Sequence, residues 1–595
     1  MKDFIKYVFA TITGIVALFM LMGILFAISL VGMIASESGA TKVKDNSVFV
    51  LQLNGVIQER TEEENPFAAI LSKGEMDMMG LDDLLAAIEK AKNNDDIKGI
   101  YLEGGVTEFD SPATAQQLRD ALKDFKKSGK WVVAYSDQYL QGAYYVASVA
   151  DKIYLNKTGM VDFRGIGGKS EYLKGLFDKI GVRYQAVRVG KYKSAVERMT
   201  QSSMSDNDRE QRLAYSQGIW DYWLKDISES RKVSAAQLNQ LANDSIISIA
   251  NPADYVKARL IDKIMYPEQI KDEIKGRLKL DKDDDINQLT LADMKNVKAK
   301  KDDDGEKIAI YYAYGEIVDD IASMMPSGHN IVGKTTVDDL NELAKDDDIK
   351  AVVIRVNSPG GSAVASENIW HAIKQLKTKK PVVVSMGGLA ASGGYMISAP
   401  ANYIFAEPTT ITGSIGIFGL VPNYSELATD KLGITFDGIK TNKYTDFAEN
   451  LVLSKENSEE IRFLQTYVDR GYTTFLDIVA EGRKMKREDV HEIAQGRVWL
   501  AKDAVKIKLV DKLGSLNDAV KKAAELAKLD EYHTATYPAP DSWVDQFLPS
   551  ENKGSYLDAE LRSLLGDLYT PVMEMKKNTK RNRLQARLPY SVVIK

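Results

Sequence analysis

The chain carries one pattern of apolar and polar positions twice. NSVFVLQLNGVIQ at 46–58 and EKIAIYYAYGEIV at 306–318 each alternate as a half-buried strand running into a turn. LDDLLAAIEKAKNNDDIKGIYL at 81–102 and VDDLNELAKDDDIKAVVIRV at 337–356 each predict an amphipathic helix, an acidic turn and a buried strand. GKWVVAYSD at 129–137 pairs with KKPVVVSMG at 379–387, and ADKIYL at 150–155 pairs with ANYIFA at 401–406. DFRGIGG at 162–168 then matches GSIGIFG at 413–419, and GLFDKIGVRYQAVRVGKYKS matches ELATDKLGITFDGIKTNKYTD. Matches in one order, at an offset near 251, imply duplication of one α/β unit of about 200 residues. Strand–helix–strand alternation predicts mostly parallel sheets flanked by helices. The reading is a first repeat at 46–267, a charged helical linker at 268–305, a second repeat at 306–529 and a polar tail at 530–595.

Ahead of the first repeat, no charged residue occurs from Tyr7 to Ser36, a run of 30. About 20 apolar helical residues cross a bilayer's hydrocarbon, and a cleaved signal has a shorter apolar region. Residues 8–35 therefore predict one uncleaved transmembrane helix in the lipid bilayer, within an anchor at 1–45. Lys2, Lys6 and the terminal amine crowd its N-terminal side, which favours a cytoplasmic N-terminus and an exported body.

Composition narrows the chemistry. With 78 Lys+Arg against 84 Asp+Glu, the net charge of −6 excludes the basic face of a nucleic-acid binder. There are no cysteines, which removes disulfides, thiolate metal sites and a cysteine nucleophile together. His329, His371, His491 and His533 are scattered singly, so a multi-histidine metal centre is not expected and no cofactor is called for. Neither GxxxxGK[ST] nor HExxH is present, which removes P-loop nucleotide hydrolysis and the common zinc-protease helix. Tyr144, Tyr145 and Tyr395 read as core or cleft wall.

Two glycine-rich turns remain, both in the second repeat. IRVNSPGGS at 354–362 follows a buried strand and precedes a helix, so its Gly-Gly pair can aim backbone N–H groups into a cleft. VVVSMGGLAASGGYMIS at 382–398 presents Ser392 where a helix begins, with the Gly393 N–H beside it. Either turn alone reads rather as an ordinary strand–helix connection, where Gly and Ser are common. Two of them about 30 residues apart in one α/β unit point to chemistry.

NSPGGS followed by AASGGY and TGSIGIFG resembles the signal peptide peptidase SppA (protease IV) family, and more remotely the Clp-protease/crotonase superfamily. The likeness covers about residues 45–525 and extends to the tandem, anchored form of that family. It implies a Ser/Lys-dyad endopeptidase of the bacterial inner membrane, facing the periplasm and degrading signal-peptide remnants. It also implies a homo-oligomer, a ring or dome. Residue by residue, it puts the nucleophile at Ser392, the general base at Lys193, a lysine-orienting serine at Ser414 and oxyanion donors at Gly361 and Gly393.

The repeat offers its own comparison. Opposite Ser392 the first copy has Gln141, opposite Ser414 it has Phe163, and opposite NSPGG it has GGVTE. Lys193, in KYKS, faces Thr445 in KYTD. Each copy keeps one half of a dyad, which places the site between copies and predicts that neither acts alone. A serine needs an adjacent base near pH 7, and burial is what makes a lysine one. His371 is the competing base, set below Lys193 because WHAIKQL reads as helix packing. The competing functions are a crotonase-type acyl-CoA enzyme and a non-catalytic membrane scaffold.

Overall fold

The computed structural model describes residues 6, 7, 14, 41–61, 78–244, 249–298, 305–319, 329–453 and 459–539. All of these but Ala539 belong to one compact unit. The predicted anchor at 8–35 lies outside the described residues, Gly14 excepted. Among the described residues no helix is long and apolar enough to cross a membrane.

In the first repeat, β1 (Ser47–Gln58), α1 (Leu81–Asn93), β2 (Ile97–Phe109), α2 (Pro112–Lys126), β3 (Trp131–Tyr139), α3 (Gln141–Ala147) and β4 (Lys152–Val161) follow one another. The amphipathic spacing of α1 buries Leu81, Leu84, Ala87, Ile88 and Ala91, with Asp82 and Asp83 in its first turn. Ser111 caps α2 by accepting the Thr114 N–H, and Pro112 occupies the first helical position, where no amide is needed. The four long strands lie parallel in the order β1-β2-β3-β4.

After β4 come β5 (Arg183–Arg188) and α4 (Asp206–Arg231), whose Ile219, Trp223 and Ile227 join the first repeat's core. The second repeat opens with β6 (Glu306–Tyr314), followed by α5 (Gly333–Lys345), β7 (Ile349–Ser358), α6 (Ala363–Lys377), β8 (Val382–Ala391), α7 (Gly393–Ser398) and β9 (Tyr403–Ala406). Its strands repeat the order β6-β7-β8-β9, again parallel. β7 and β8 are apolar on both faces because helices cover both, and Val352, Val353, Val383 and Val384 are fully buried. Internal bonds repeat as well: Tyr144 Oη donates to Leu260 O and Tyr395 Oη to Leu509 O, each at 2.9 Å. Both tyrosines and Tyr145 are fully buried core.

Residues 268–298 of the charged stretch are built into the first repeat. Helix Pro267–Leu278 buries Ile270, Ile274 and Leu278, and Gln288–Leu289 pairs in parallel with β1. The tail at 530–595 likewise begins with a strand, Tyr532–Tyr537, parallel to β6. The two segments occupy equivalent edges of the two sheets.

After β10 (Ile411–Gly413), β11 (Phe418–Asn423) pairs antiparallel with β5, Phe418 opposite Arg188 and Asn423 opposite Arg183. This ribbon takes one strand from each repeat. It delivers the segment after Arg188, including Lys193, to the second repeat.

Candidate active site

Ser392 stands at the junction of β8 and α7 with φ 54° and ψ −118°, a backbone conformation L-residues adopt only under constraint. Its N–H is fixed by a 2.9 Å bond to Gly413 O. Ser414, one residue past β10, also has a positive φ of 51°, and its N–H donates to Arg497 O at 2.7 Å. Both hydroxyls are thereby turned to the same point.

Lys193 fills that point. Its Nζ lies 3.0 Å from Ser392 Oγ, 2.9 Å from Ser414 Oγ and 3.0 Å from Ser414 O. Three oxygens suit a neutral amine well: two N–H groups donate to Ser414 O and Oγ, and the lone pair accepts the Ser392 O–H. The side chain is only 4% exposed. Burial pulls its ammonium down from the ordinary 10.5 to about 7.

The lysine is held from both sides. Tyr192 N–H donates to Gln495 O at 3.0 Å, and Arg188 Nη1 donates to Lys193 O at 2.9 Å. Behind it, Gln211 Nε2 donates to Tyr192 O at 3.1 Å and Ser194 Oγ donates to Asp208 Oδ1 at 2.6 Å. Gly496 has φ 80°, and a Cβ there would come 2.6 Å from Lys193 Cβ. Gly496→Ala is therefore expected to shift the lysine and lower kcat about 10²-fold, the scale of a 1 Å misplacement. Steady-state kinetics on a peptide substrate, with circular dichroism as the fold control, check this.

The glycine turn at 358–361 abuts the serine. A Cβ on Gly360 would lie 2.5 Å from Gly393 N and 2.9 Å from Ser392 Cβ. Gly361 bridges in parallel to Ile317, through Ile317 N to Gly360 O at 3.0 Å and Ser362 N to Ile317 O at 2.8 Å. That pattern leaves the Gly361 amide facing away from the bridge. The Gly393 amide opens α7 and has no acceptor within the helix. His371 is exposed on α6 beside Trp370 and stands apart from these groups.

The equivalent place in the first repeat is closed. Gln141 Oε1 accepts the N–H groups of Arg164 and Gly165 at 2.8 and 2.9 Å, and its Nε2 donates to Gly165 O at 3.1 Å. Phe163 is buried against Tyr144 and Trp220. β2 runs on to Phe109 where β7 breaks into the glycine turn, so no amide cradle forms.

The sequence reading overlooked a buried cluster where the repeats meet. Arg355 in β7 pairs with Glu59 at 2.6 Å, with Gln117 at 2.9 Å and with Glu407 at 4.0 Å. An arginine inside the apolar run VVIRV is the signal that could have found it. Gly496 and the Asp208–Gln211 support carry no comparable signal.

Comparison with known proteins gives the family. The model of Peptidase family S49 matches residues 124–281 and 374–530, once in each repeat, and that of Clp protease matches 313–410. Protease 4 of Salmonella typhi is 36% identical over 514 residues, 84% of this chain and 82% of the relative. Protease 4 of Haemophilus influenzae is 33% identical over 576 residues, covering 93% and 92%. Serine protease SPPA, chloroplastic, of Arabidopsis thaliana is 29% identical over 496 residues, covering 82% and 70%. Matched in both repeats, and along most of the length of two bacterial relatives, the chain belongs to peptidase family S49 and is a serine protease.

Proposed function

We propose that the chain is a membrane-anchored endopeptidase in which Ser392 is the nucleophile and Lys193 its general base. The observation that carries this is a buried lysine amine 3.0 Å from the oxygen of a serine in a strained turn. Neutral Lys193 takes the Ser392 proton as Oγ bonds to the scissile carbonyl carbon. Gly361 and Gly393 amides hold the oxygen that becomes negative, and Ser414 keeps the amine aimed. Collapse breaks the C–N bond, and the leaving amine takes the proton from Lys193. Water then attacks the acyl carbon and gives a proton to Lys193, the C–Oγ bond breaks, Ser392 Oγ takes that proton back from Lys193, and the carboxylic acid product leaves.

In the cell, the uncharged run at 8–35 anchors the chain in the bacterial inner membrane, with the body in the periplasm. Cleaved signal peptides and other short or unfolded peptides are the substrates, and copies assemble as a ring or dome. The test is hydrolysis of a synthetic signal peptide by the full chain in detergent, beside a folded protein of similar residue content. Cleavage of the peptide alone supports the reading. Equal cleavage of the folded protein, or an untouched peptide, contradicts it.

The pH dependence follows from the lysine. Only the neutral amine is a base, so kcat/KM is expected to rise about tenfold per pH unit below about 7 and level above it. A pH–rate profile from pH 5 to 9 checks it.

A further inference from the structure

Arg355, Glu59, Glu407 and Gln116 lie buried at the seam between repeats, each no more than 4% exposed. Glu59 lies just past β1 and Gln116 in α2, whereas Arg355 and Glu407 belong to the second repeat. Glu59 Oε1 accepts from Arg355 Nε at 2.6 Å, and its Oε2 accepts from Asn357 Nδ2 at 3.0 Å. Asn357 Nδ2 also reaches Asp110 Oδ2 at 3.3 Å, and its Oδ1 accepts the Leu389 N–H at 3.0 Å.

β7 and β8 part at this level. Val356 pairs with Met386, but Ser358 pairs with Ala390, so Gly387, Gly388 and Leu389 form a bulge opposite Asn357. Those glycines let the first repeat approach: a Cβ on Gly387 would lie 2.7 Å from Glu59 Oε2, and one on Gly388 2.2 Å from Ser111 Cβ. Both turns of the site start from here. Asn357 is three residues before Gly360, and Leu389 three before Ser392. One amide side chain thus ties together the roots of the glycine turn and the serine turn, and a carboxylate of the other repeat holds that amide.

We propose that Glu59, acting through Asn357, is a positioning residue that sets the spacing between the Gly360–Gly361 turn and Ser392. The first repeat then shapes the amide cradle as well as delivering the lysine. The proposal rests on the reading of Ser392 as nucleophile and of Gly361 as oxyanion donor.

A hydrogen-bond swap tests it. Asn357→Asp sets a carboxylate against Glu59 and Asp110, whereas the double variant Glu59→Gln/Asn357→Asp removes the repulsion from position 59 and restores one N–H···O bond there in reverse, with the same net charge. Glu59→Gln alone keeps the shape but cannot accept from both Arg355 and Asn357. Rates are taken per active site by serine titration, so that unfolded protein does not count. Each single variant is expected to lose about 10²-fold in kcat with little change in KM, and the double variant to recover to within about tenfold of wild type. Single variants with wild-type kcat, or a double variant no better than the singles, overturn the proposal. Ser392→Ala run alongside separates the two readings. An active Ser392→Ala contradicts the nucleophile itself, whereas an inactive one beside a fully active Asn357→Asp overturns only the positioning role.

Discussion

Lys193→Met is expected to abolish peptide hydrolysis and at the same time to stabilise the folded chain. Removing one member of a nucleophile–base unit costs about 10⁴–10⁶-fold in kcat. Ser392→Ala should cost as much, and the double variant little more, because the two side chains act as one device. Stability moves the other way because the lysine pKa falls from 10.5 unfolded to about 7 folded. Between those values the unfolded chain binds a proton that the folded chain does not, so stability rises with pH across that window. Below it the buried amine costs up to roughly 5 kcal/mol, less what its hydrogen bonds return. The variant should therefore have a higher urea midpoint than wild type at pH 7, and the advantage should shrink toward pH 10.5. Paired denaturation curves at the two pH values measure this.

Arg355→Met should be the most damaging substitution outside the catalytic groups. It leaves Glu59 buried without a counter-charge, a loss of about 3–5 kcal/mol, read by urea unfolding at pH 7. Glu407, 4.0 Å from Arg355, behaves differently. Burial, opposed by Arg355 and reinforced by Asp120 and Glu59, pushes its carboxyl from 4.5 up to about 8. Across that window the folded chain holds a proton that the unfolded chain has released, so this group makes stability fall as pH rises. Glu407→Gln should flatten that slope between about pH 5 and 8 while leaving the Arg355–Glu59 pair in place.

The repeated α/β unit is legible in the sequence because parallel strands buried on both faces give dense apolar runs, such as AVVIRV and VVVSM. That Lys193 meets Ser392 and Ser414 is legible for another reason. The family resemblance implies those roles, and the repeats agree with it, since each copy keeps one half of the dyad and lacks the other. Edge strands are harder to see. Gln288–Leu289 has two residues, too few to show a period, and Tyr532–Tyr537 alternates without a continuous apolar face. The seam cluster is hard to read because its members are distant in sequence: Glu59 and Gln117 each read alone as surface residues, and Arg355 stands out only by its place in an apolar run. The positive φ at Ser392 and Ser414 has no sequence signature, since neither is a glycine.

The central claim is that Lys193 activates Ser392, and serine-directed labelling with an acylating fluorophosphonate tests it most directly. Wild type and Lys193→Met are labelled from pH 5 to 9, and the modified residue is located by peptide mapping. The account predicts modification at Ser392, with a rate that climbs through about pH 7 in wild type and stays near background in Lys193→Met. Labelling of Ser392 at equal rates in both proteins, or modification at a different serine, would contradict it.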